Sequence, residues 1–341
     1  MENHRIFPNC KLPNFKVAIR CITYNHAPYI KDAMNGFVIQ ETSFPYFAII
    51  IDDASPDGEQ DVIKQYMRKE FLIDENLEAE QWENDLSHFI YARHPQNKNC
   101  YFVVLLLKRN LHKEGGKKRE LYYPWIEKAQ YRAECEGDDY WTDTIKLQRQ
   151  VDFLESHPDY VAIAENAIII HTETGESSLF TDYNDTDVTV EMILKNKRFI
   201  PTASVLFRHN AIGEDINKVK KRFDTFMWSY LASKGCFYFQ NKVSSVYRKG
   251  NQGITCYTDP YEWAKTMENY FLDLQKFFSK FVNKRTIHYN IYRQYLYAAN
   301  KYVDMNDYGK RYWKSVLKGI KYRPLNAINN MGKYFLTHLI K

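Results

Sequence analysis

The sequence lacks any run of the about 18–20 consecutive apolar residues that a membrane span needs. Its two most apolar stretches, Phe102–Leu107 and Val161–Ile170, are strand-sized, and Glu165 and Asn166 interrupt the second. A transmembrane enzyme is therefore excluded. Met1–Lys16 has no apolar core of the kind a cleaved leader carries, so no secretory signal is expected. The six cysteines (Cys10, Cys21, Cys100, Cys135, Cys236 and Cys256) include no C-x-x-C pair. That spacing argues against a zinc ribbon or a disulfide framework and suits a reducing cytoplasm. Internal repeats and low-complexity linkers are absent too. What the chain does have is a core-forming composition: 45% of its 341 residues are apolar and 26% charged, which excludes disorder. Aromatic residues reach 16%; such rings can stack on flat ligands such as sugars and bases, but most are expected to be ordinary core and rim. The net charge of +5 is mild, so its distribution matters more than its total.

Residues 16–170 alternate between strand and helix patterns. Val17–Ile22 reads as a strand, followed by a turn at Thr23–Pro28 and a helix over Tyr29–Gln40. Phe47–Ile51 is continuously apolar, as in a strand buried on both faces of a parallel sheet. It stops at Asp52-Asp53 and a turn over Ala54–Gly58, before a helix over Gln60–Phe71. Residues 72–100 look like an inserted excursion. A strand at Tyr101–Lys108, a helix at Leu121–Gln130 and a short strand at Arg132–Cys135 follow, ending in Glu136-Gly137-Asp138-Asp139. A helix over Asp143–Ser156 and a strand over Tyr160–Ile170 close the series. Such βα repetition predicts an open, mostly parallel α/β sheet with helices on both faces. Residues 200–250 hold shorter strands (Ala203–Arg208, Phe237–Tyr247) around a helix, Asp224–Lys234. Beyond residue 260 the pattern is helical and rich in Tyr, Phe and Lys.

In an open α/β sheet, ligands bind at the carboxyl ends of the strands. Three candidate constellations fall there. Glu136, Asp138 and Asp139 are three carboxylates within four residues, which repel unless a cation or basic groups sit among them. A divalent metal bridging a diphosphate resolves that repulsion, with Gly137 allowing the side chains to converge. The plain alternative is a solvated acidic turn capping the next helix. Asp52 and Asp53, leaving a buried strand, suit a base imide and a ribose hydroxyl; otherwise they belong to a loop with Ser55 or Asp57 as N-cap. In Thr23-Tyr24-Asn25-His26-Ala27-Pro28, Tyr24 can stack on a base and Thr23 hydrogen-bond to it, or the run is only a turn ending in proline.

Taken together, Thr-Tyr-Asn-His after the first strand, Ile-Asp-Asp-Ala-Ser-Pro-Asp-Gly after the second, and Gly-Asp-Asp-Tyr-Trp with Lys146, Leu147 and Gln150 resemble the family 2 glycosyltransferases. These are inverting, nucleotide-sugar-dependent enzymes of the GT-A fold, here of the bacterial surface-polysaccharide type. The resemblance covers residues 16–170 well and 200–248 loosely. It implies a GT-A, Rossmann-like catalytic domain over residues 1–255, with a donor part at about 16–170, an acceptor part at about 171–255, and a helical, basic C-terminal extension over 256–341. It also implies that Thr23, Tyr24, Asn25, Asp52 and Asp53 grip the nucleotide. The family's D-x-D motif falls on Glu136-Gly137-Asp138, so Asp138 becomes the ligand of a divalent metal (Mn or Mg), with Asp139 and Glu136 near the sugar or ribose. Lys113, Lys117, Lys118 and Arg119, with Gly115 and Gly116, lie where the family places a cation by the pyrophosphate; a plain surface loop is the alternative. Asp224, before a helix, is the expected general base, or else that helix's N-cap. Val246-Tyr247-Arg248 matches the segment that closes over the donor, while Asn251 and Gln252 stand where the family often has a histidine.

From Arg311 to Lys341 there is no acidic residue, and Trp313, Val316, Leu317 and Ile320 recur at helical spacing. A basic amphipathic tail suits an anionic membrane surface on the cytoplasmic side, or else a helix packed on the protein with its basic face in water. The expected activity is metal-assisted transfer of a sugar from a nucleotide-sugar, a UDP-sugar, to a hydroxyl of a lipid-linked oligosaccharide or surface polysaccharide. No nucleic-acid partner is expected, because the site mouth is acidic. The competing readings are a nucleotidyltransferase, disfavoured by the lack of a glycine-rich basic loop after the first strand, and a non-catalytic nucleotide-sugar-binding protein.

Overall fold

The computed structural model describes residues 5–114, 118–195, 199–219, 221–250 and 259–323. The strands are β1 (Val17–Thr23), β2 (Tyr46–Asp52), β3 (Ala79–Glu83), β4 (Ser87–Arg93), β5 (Cys100–Leu107), β6 (Tyr131–Glu134), β7 (Tyr140–Trp141), β8 (Tyr160–His171), β9 (Ser177–Leu179), β10 (Thr186–Asp187), β11 (Leu206–Arg208) and β12 (Cys236–Lys249). The helices are α1 (Ile30–Val38), α2 (Glu59–Phe71), α3 (Arg119–Ile126), α4 (Lys146–Ser156), α5 (Val190–Lys195), α6 (Asp224–Ala232), α7 (Pro260–Phe277), α8 (Lys284–Asp304) and α9 (Lys310–Tyr322).

The strands form one sheet in the order β10-β12-β8-β11-β6-β1-β2-β5-β4-β3, with β7 on β12 and β9 on β8. At its centre β6, β1, β2 and β5 run parallel. The long pair β8–β12 is parallel as well, and antiparallel β11 sits between β8 and β6.

Both faces of the centre are covered, which explains the unbroken apolar runs. On β2, Tyr46, Ala48 and Ile50 pack with Phe37 of α1, Ile63 and Met67 of α2 and Leu147 of α4. The alternate residues Phe47, Ile49 and Ile51 pack with Leu121, Trp125 and Ile126 of α3. All seven residues of β2 are buried. The Rossmann-like α/β reading is thus borne out.

Residues 72–100, expected as an excursion, instead hold β3 and β4, an antiparallel hairpin that extends the sheet from β5. Phe89 and Tyr91 face one side of the sheet and Ile90 and Ala92 the other. The strand expected over Ala203–Arg208 starts at Leu206. Ser204 Oγ donates to Pro201 O at 2.8 Å and Trp141 Nε1 to Ala203 O at 2.6 Å, holding a single 3-10 turn ahead of it.

The chain divides into two compact units. One comprises Met1–Asp187, Ile200–Gly213 and Lys234–Lys249 and contains the whole sheet. The other comprises Val188–Phe199, Glu214–Ser233 and Gly250–Lys341, so two segments from the expected acceptor part cluster with the C-terminal helices. In this helical unit Pro260 begins α7, and the Asp259 side chain caps it by accepting from Tyr261 N and Glu262 N at 3.2 and 3.1 Å. Glu268, in the middle of α7, accepts from Tyr295 and Tyr322 hydroxyls and from Lys318 at 3.0 Å, which ties α7 to α8 and α9. Burial works to raise the Glu268 carboxyl, but those three donors outweigh it and hold it below the ordinary glutamate value. Among the described residues no helix is long and apolar enough to cross a membrane.

Candidate functional site

The carboxyl ends of β6, β1 and β2 lie side by side. Thr23 pairs with Asp52 across β1 and β2, Asp53 N donates to Thr23 O at 3.2 Å, and Gly137 N donates to Ile22 O at 3.2 Å. The loops carrying Thr23–Pro28, Asp52–Gly58 and Glu136–Asp139 therefore meet at one end of the sheet. Gly137 is required by this approach: a Cβ there would come within 2.1 Å of Thr23 Oγ1 and 2.6 Å of Thr23 Cβ.

Four further hydrogen bonds join the first loop to the second and to the start of α2. Thr23 Oγ1 donates to Glu59 Oε1, Asn25 N to Ser55 Oγ at 3.0 Å, His26 N to Glu59 Oε2 at 3.0 Å, and Ala27 N to Asp57 Oδ2 at 3.0 Å. Asn25 and Ala54 both adopt left-handed backbone, at φ 62° and 57°. An alanine gains nothing locally from that conformation, so the tertiary contacts impose it. Glu59, at the start of α2, is fully buried. Burial raises its carboxyl above the usual value, against the hydrogen bonds from Thr23, His26 and Ser55.

The acidic pair divides by environment. Asp53 is saturated: its carboxylate accepts from Leu111 N at 2.8 Å, His112 N at 3.2 Å and Lys118 Nζ at 3.0 Å, and so holds the segment after β5. Asp52 accepts through Oδ1 from Ser55 N at 3.2 Å and Gln60 Nε2 at 2.6 Å. Its Oδ2 is buried with no partner among the described residues.

A second division separates the motif after β6. Glu136 is exposed. Asp139 is buried, and its Oδ1 accepts from Arg248 N at 2.9 Å. Burial, and next the charge of Asp138, push the Asp139 carboxyl well above the ordinary aspartate range. Asp138 keeps Oδ1 buried without a hydrogen-bond partner among the described residues, while its Oδ2 lies 3.8 Å from His26 Nε2. Arg248 fastens this loop from β12. Its Nη1 donates to Asp138 O at 2.9 Å, Nη2 pairs with Asp32, and the guanidinium lies 4.9 Å from the Tyr29 ring and 4.5 Å from that of Tyr140. Behind the loop, fully buried Lys146 donates to Gln150 Oε1 at 2.7 Å and sits 4.3 Å from the Trp141 ring. Burial lowers its pKa to about 8.

The other expected residues are placed as follows. The Tyr24 ring has Lys113 Nζ 5.8 Å from its centre. Lys118 is engaged by Asp53. Arg119 is exposed and lies 3.9 Å from the Tyr123 ring. Gly115, Gly116, Lys117, Asn251, Gln252, Cys256 and the tail from Pro324 onward lie outside the described residues. Asp224 is the exposed first residue of α6 and belongs to the helical unit. Its charge, after burial, raises the Tyr270 phenol. A cavity of about 620 Å³ is lined by Tyr131, Glu155 and Arg208, at the amino end of β6 and away from these carboxylates.

Glu59 and His26 were not singled out by sequence. The available signals were an acidic residue at a helix start and a histidine within a turn otherwise suited to stacking. Among the described residues no group of three or more His, Cys, Asp and Glu side chains forms a metal cluster. The oxygen set of Asp138 fits one or two positions of a hard divalent cation, with the rest left to a ligand's oxygens and water.

Comparison with known proteins bears on the fold. No family model matches the chain. An uncharacterized protein of Mycobacterium tuberculosis, Rv1520, is 30% identical over 253 residues, covering 73% of this chain and 64% of that protein. The chain thus spans less than two thirds of the mycobacterial relatives it matches. The putative teichuronic acid biosynthesis glycosyltransferase TuaG of Bacillus subtilis is 25% identical over 251 residues, covering 72% of this chain and 84% of TuaG. Among solved structures, Staphylococcus aureus TarS 1–349 in complex with UDP-GlcNAc aligns with a TM-score of 0.56 at 14% identity, over 93% of this chain and 84% of that one. The same fragment in complex with UDP gives a TM-score of 0.55 at 14% identity, over 93% and 83%. The chain has the GT-A fold of the glycosyltransferases, as its motifs implied.

Proposed function

We propose that this chain is an inverting glycosyltransferase. It moves a sugar from a nucleotide-sugar, a UDP-sugar, to a hydroxyl of a lipid-linked oligosaccharide or surface polysaccharide. The observation that carries the reading is the pair of buried carboxylate oxygens without a partner among the described residues, Asp52 Oδ2 after β2 and Asp138 Oδ1 after β6, on either side of β1. A buried acceptor left without a donor costs about 1–3 kcal/mol, and a ligand that supplies the missing contact recovers it. TarS, crystallised with UDP-GlcNAc and with UDP, and TuaG, named for teichuronic acid synthesis, support the donor and product classes.

In this reading Tyr24 stacks on the base, and Asp52 accepts from the base or ribose through its open oxygen. Asp53 acts indirectly, through the loop it holds. Asp138 holds a Mn or Mg ion, with Glu136 and Asp139 beside it. When bound, that cation stabilises the second negative charge left on the departing diphosphate. Lys117 and Arg119 offset the rest of that charge. Asp224 takes the proton from the attacking hydroxyl. The protein works in the cytoplasm, and α9 contacts the inner membrane face: Trp313 and Leu317 are 54% and 65% exposed among Lys310, Lys314 and Lys321.

The test is calorimetric titration with UDP, GDP and CDP, with and without Mn, on wild type and Asp138→Asn. Metal-dependent binding of one nucleotide, weakened tenfold or more in the variant, is the expected result. Binding indifferent to both metal and substitution overturns the site. Release of pyrophosphate in place of a nucleoside diphosphate overturns the reaction class.

A further inference from the structure

We propose that the solvent-facing side of α8 binds the acceptor, and that this acceptor is an acidic glycan, a chain of sugar rings bearing carboxylates or phosphates. The inference deepens the glycosyltransferase reading above and rests on it. Ile287, Ile291, Tyr295, Ala298 and Tyr302 lie on the buried side of α8. On its outer side a row at four-residue spacing reads Arg285, Tyr289, Arg293, Tyr297, Lys301. Cations and phenols alternate along about 24 Å of helix. Arg285, Tyr289 and Tyr297 are exposed, and Arg293 and Lys301 are half-buried. No acidic residue falls between Lys284 and Val303.

The cations of this row are held by rings, not by carboxylates. Arg293 Cζ lies 5.8 Å from the Tyr289 ring centre, and Lys301 Nζ lies 5.8 Å from that of Tyr297. Arg323, just after α9, brings its Cζ to 5.4 Å from the Tyr289 ring centre, and its Nη2 donates to Arg285 O at 3.3 Å. Among the described residues none of Arg285, Arg293, Lys301 and Arg323 makes an ion pair, whereas Arg311 and Lys318 of the same unit pair with Asp259 and Glu268. A guanidinium beside a phenol keeps its N–H fork open to a carboxylate or phosphate from outside.

Charge alone would suit any polyanion, and the surroundings of Tyr297 narrow the choice. Three and four residues away on the helix surface stand Gln294, Asn300, Arg293 and Lys301, so donors flank this 51% exposed ring on both sides. The Gln294 and Asn300 amides make no hydrogen bond among the described residues. A sugar fits that set: its C–H face lies on the phenol, its hydroxyls accept from the amides, and its acid group meets Arg293 or Lys301. A membrane surface would call for exposed aliphatic side chains among the cations, as Leu317 on α9, and the row has none.

The experiment is titration of the full chain with fluorescent oligogalacturonate and phosphomannan oligomers. Neutral dextran, inorganic polyphosphate, single-stranded DNA and anionic vesicles serve as competitors. At least one acidic glycan should bind, more weakly as salt rises, with dextran and polyphosphate competing poorly. Tyr297→Ala should raise Kd about tenfold, Arg293→Gln with Lys301→Gln at least as much, and Tyr297→Phe should leave it unchanged. Circular dichroism checks folding, and if the double variant fails to fold, the two Tyr297 variants still decide. Binding of neither acidic glycan, equal binding by Tyr297→Ala, or competition by polyphosphate as strong as by glycan overturns the proposal. So does loss of DNA or vesicle binding, in place of glycan binding, in these variants. Mn-dependent UDP binding should be the same in every variant. A chain that binds UDP but neither glycan overturns this inference and leaves the transferase reading standing. Glycan binding by a chain that binds no nucleotide overturns the transferase reading, and the acceptor role with it.

Discussion

Gly137→Ala is the sharpest perturbation of the strand-end geometry. The added methyl would come within 2.1 Å of Thr23 Oγ1, 2.6 Å of Thr23 Cβ and 3.2 Å of Ile30 Cδ1. Ordinary van der Waals contacts begin at 3.4 Å, well beyond the closest of these. Thr23 cannot yield easily, because it is a buried strand residue paired with Asp52 and its hydroxyl donates to Glu59. Overpacking costs about 1–3 kcal/mol, and losing a hydrogen bond to a buried carboxylate costs about 1.5–3 kcal/mol. Partial relaxation of the exposed Glu136 side of the loop brings the sum to about 3 kcal/mol. In a domain of this size each kcal/mol lowers Tm by about 2–4 °C, so the variant should melt about 6–12 °C below wild type. The assay is thermal unfolding by circular dichroism on four proteins: wild type, Gly137→Ala, Thr23→Ala and the double variant. Thr23→Ala removes the atom at 2.1 Å but leaves the one at 2.6 Å, so the double variant should recover only part of the loss. A coupling energy of about 1 kcal/mol or more is expected. A Gly137→Ala protein that melts within about 1 °C of wild type, or single effects that simply add, would refute the close approach of the two loops.

Two further outcomes concern the helical unit. Replacing Glu268 by Gln should cost about 2 kcal/mol, since Tyr295, Tyr322 and Lys318 all donate to this carboxylate. Because the folded carboxyl titrates below the unfolded one, its contribution is complete above the unfolded glutamate value of about 4.3 and is lost as pH falls through the lower folded value. Urea denaturation should therefore show the gap between wild type and Glu268→Gln closing in acid; a gap constant from neutral to acid pH would show that the carboxylate charge contributes nothing. For α9, wild type should sediment with vesicles rich in anionic lipid and not with zwitterionic ones, each basic residue at the surface adding about 1 kcal/mol. Trp313→Ser with Leu317→Ser should reduce that binding several-fold, and equal binding by the double variant would remove α9 from the interface.

The centre of the fold was legible because its residues obey one rule. Phe47–Ile51 is continuously apolar, and its alternate side chains enter two different cores. The β3–β4 hairpin was not legible. Ser87–Arg93 mixes serine, histidine and arginine with its apolar residues, and Trp82 stands alone among charged neighbours. The helix expected from Asp143 begins at Lys146, because the Asp143 carboxylate accepts from Ile145 N at 3.1 Å and pairs with Arg149 at 2.8 Å, which holds the preceding turn open. That Val188–Phe199 and Glu214–Ser233 pack with the C-terminal helices is a long-range fact, which no local periodicity encodes. On α9, helical spacing grouped Trp313, Val316, Leu317 and Ile320, yet the buried side is Tyr312, Ser315, Gly319 and Tyr322. Tyrosine hydroxyls in that unit are bonded to Glu268 and Asp259, so phenols fill positions where a hydropathy pattern looks for leucine.

Within the site, sequence finds the acids and structure divides their labour. Asp52 and Asp53 are adjacent in sequence, yet Asp53 has both oxygens engaged by Leu111, His112 and Lys118 while Asp52 retains a buried oxygen without a partner among the described residues. Glu134 is likewise consumed, by Arg20 and Arg132. A substitution such as Asp53→Asn should therefore act through the loop after β5, whereas Asp52→Asn alters an oxygen that no described side chain uses. The same contrast separates Asp139, bound by Arg248 N, from Asp138. Glu165 also keeps an unpartnered oxygen, but its other oxygen meets Arg149 at 2.8 Å, so its charge is met by the fold. For Asp138 the basic side chain within ion-pair reach is His26, whose Nε2 lies 3.8 Å from Oδ2. Carboxylate oxygens that the fold leaves buried and unpartnered after β2 and β6, among the described residues, are a standing cost, which in the proposed reaction a bound cation and diphosphate would remove.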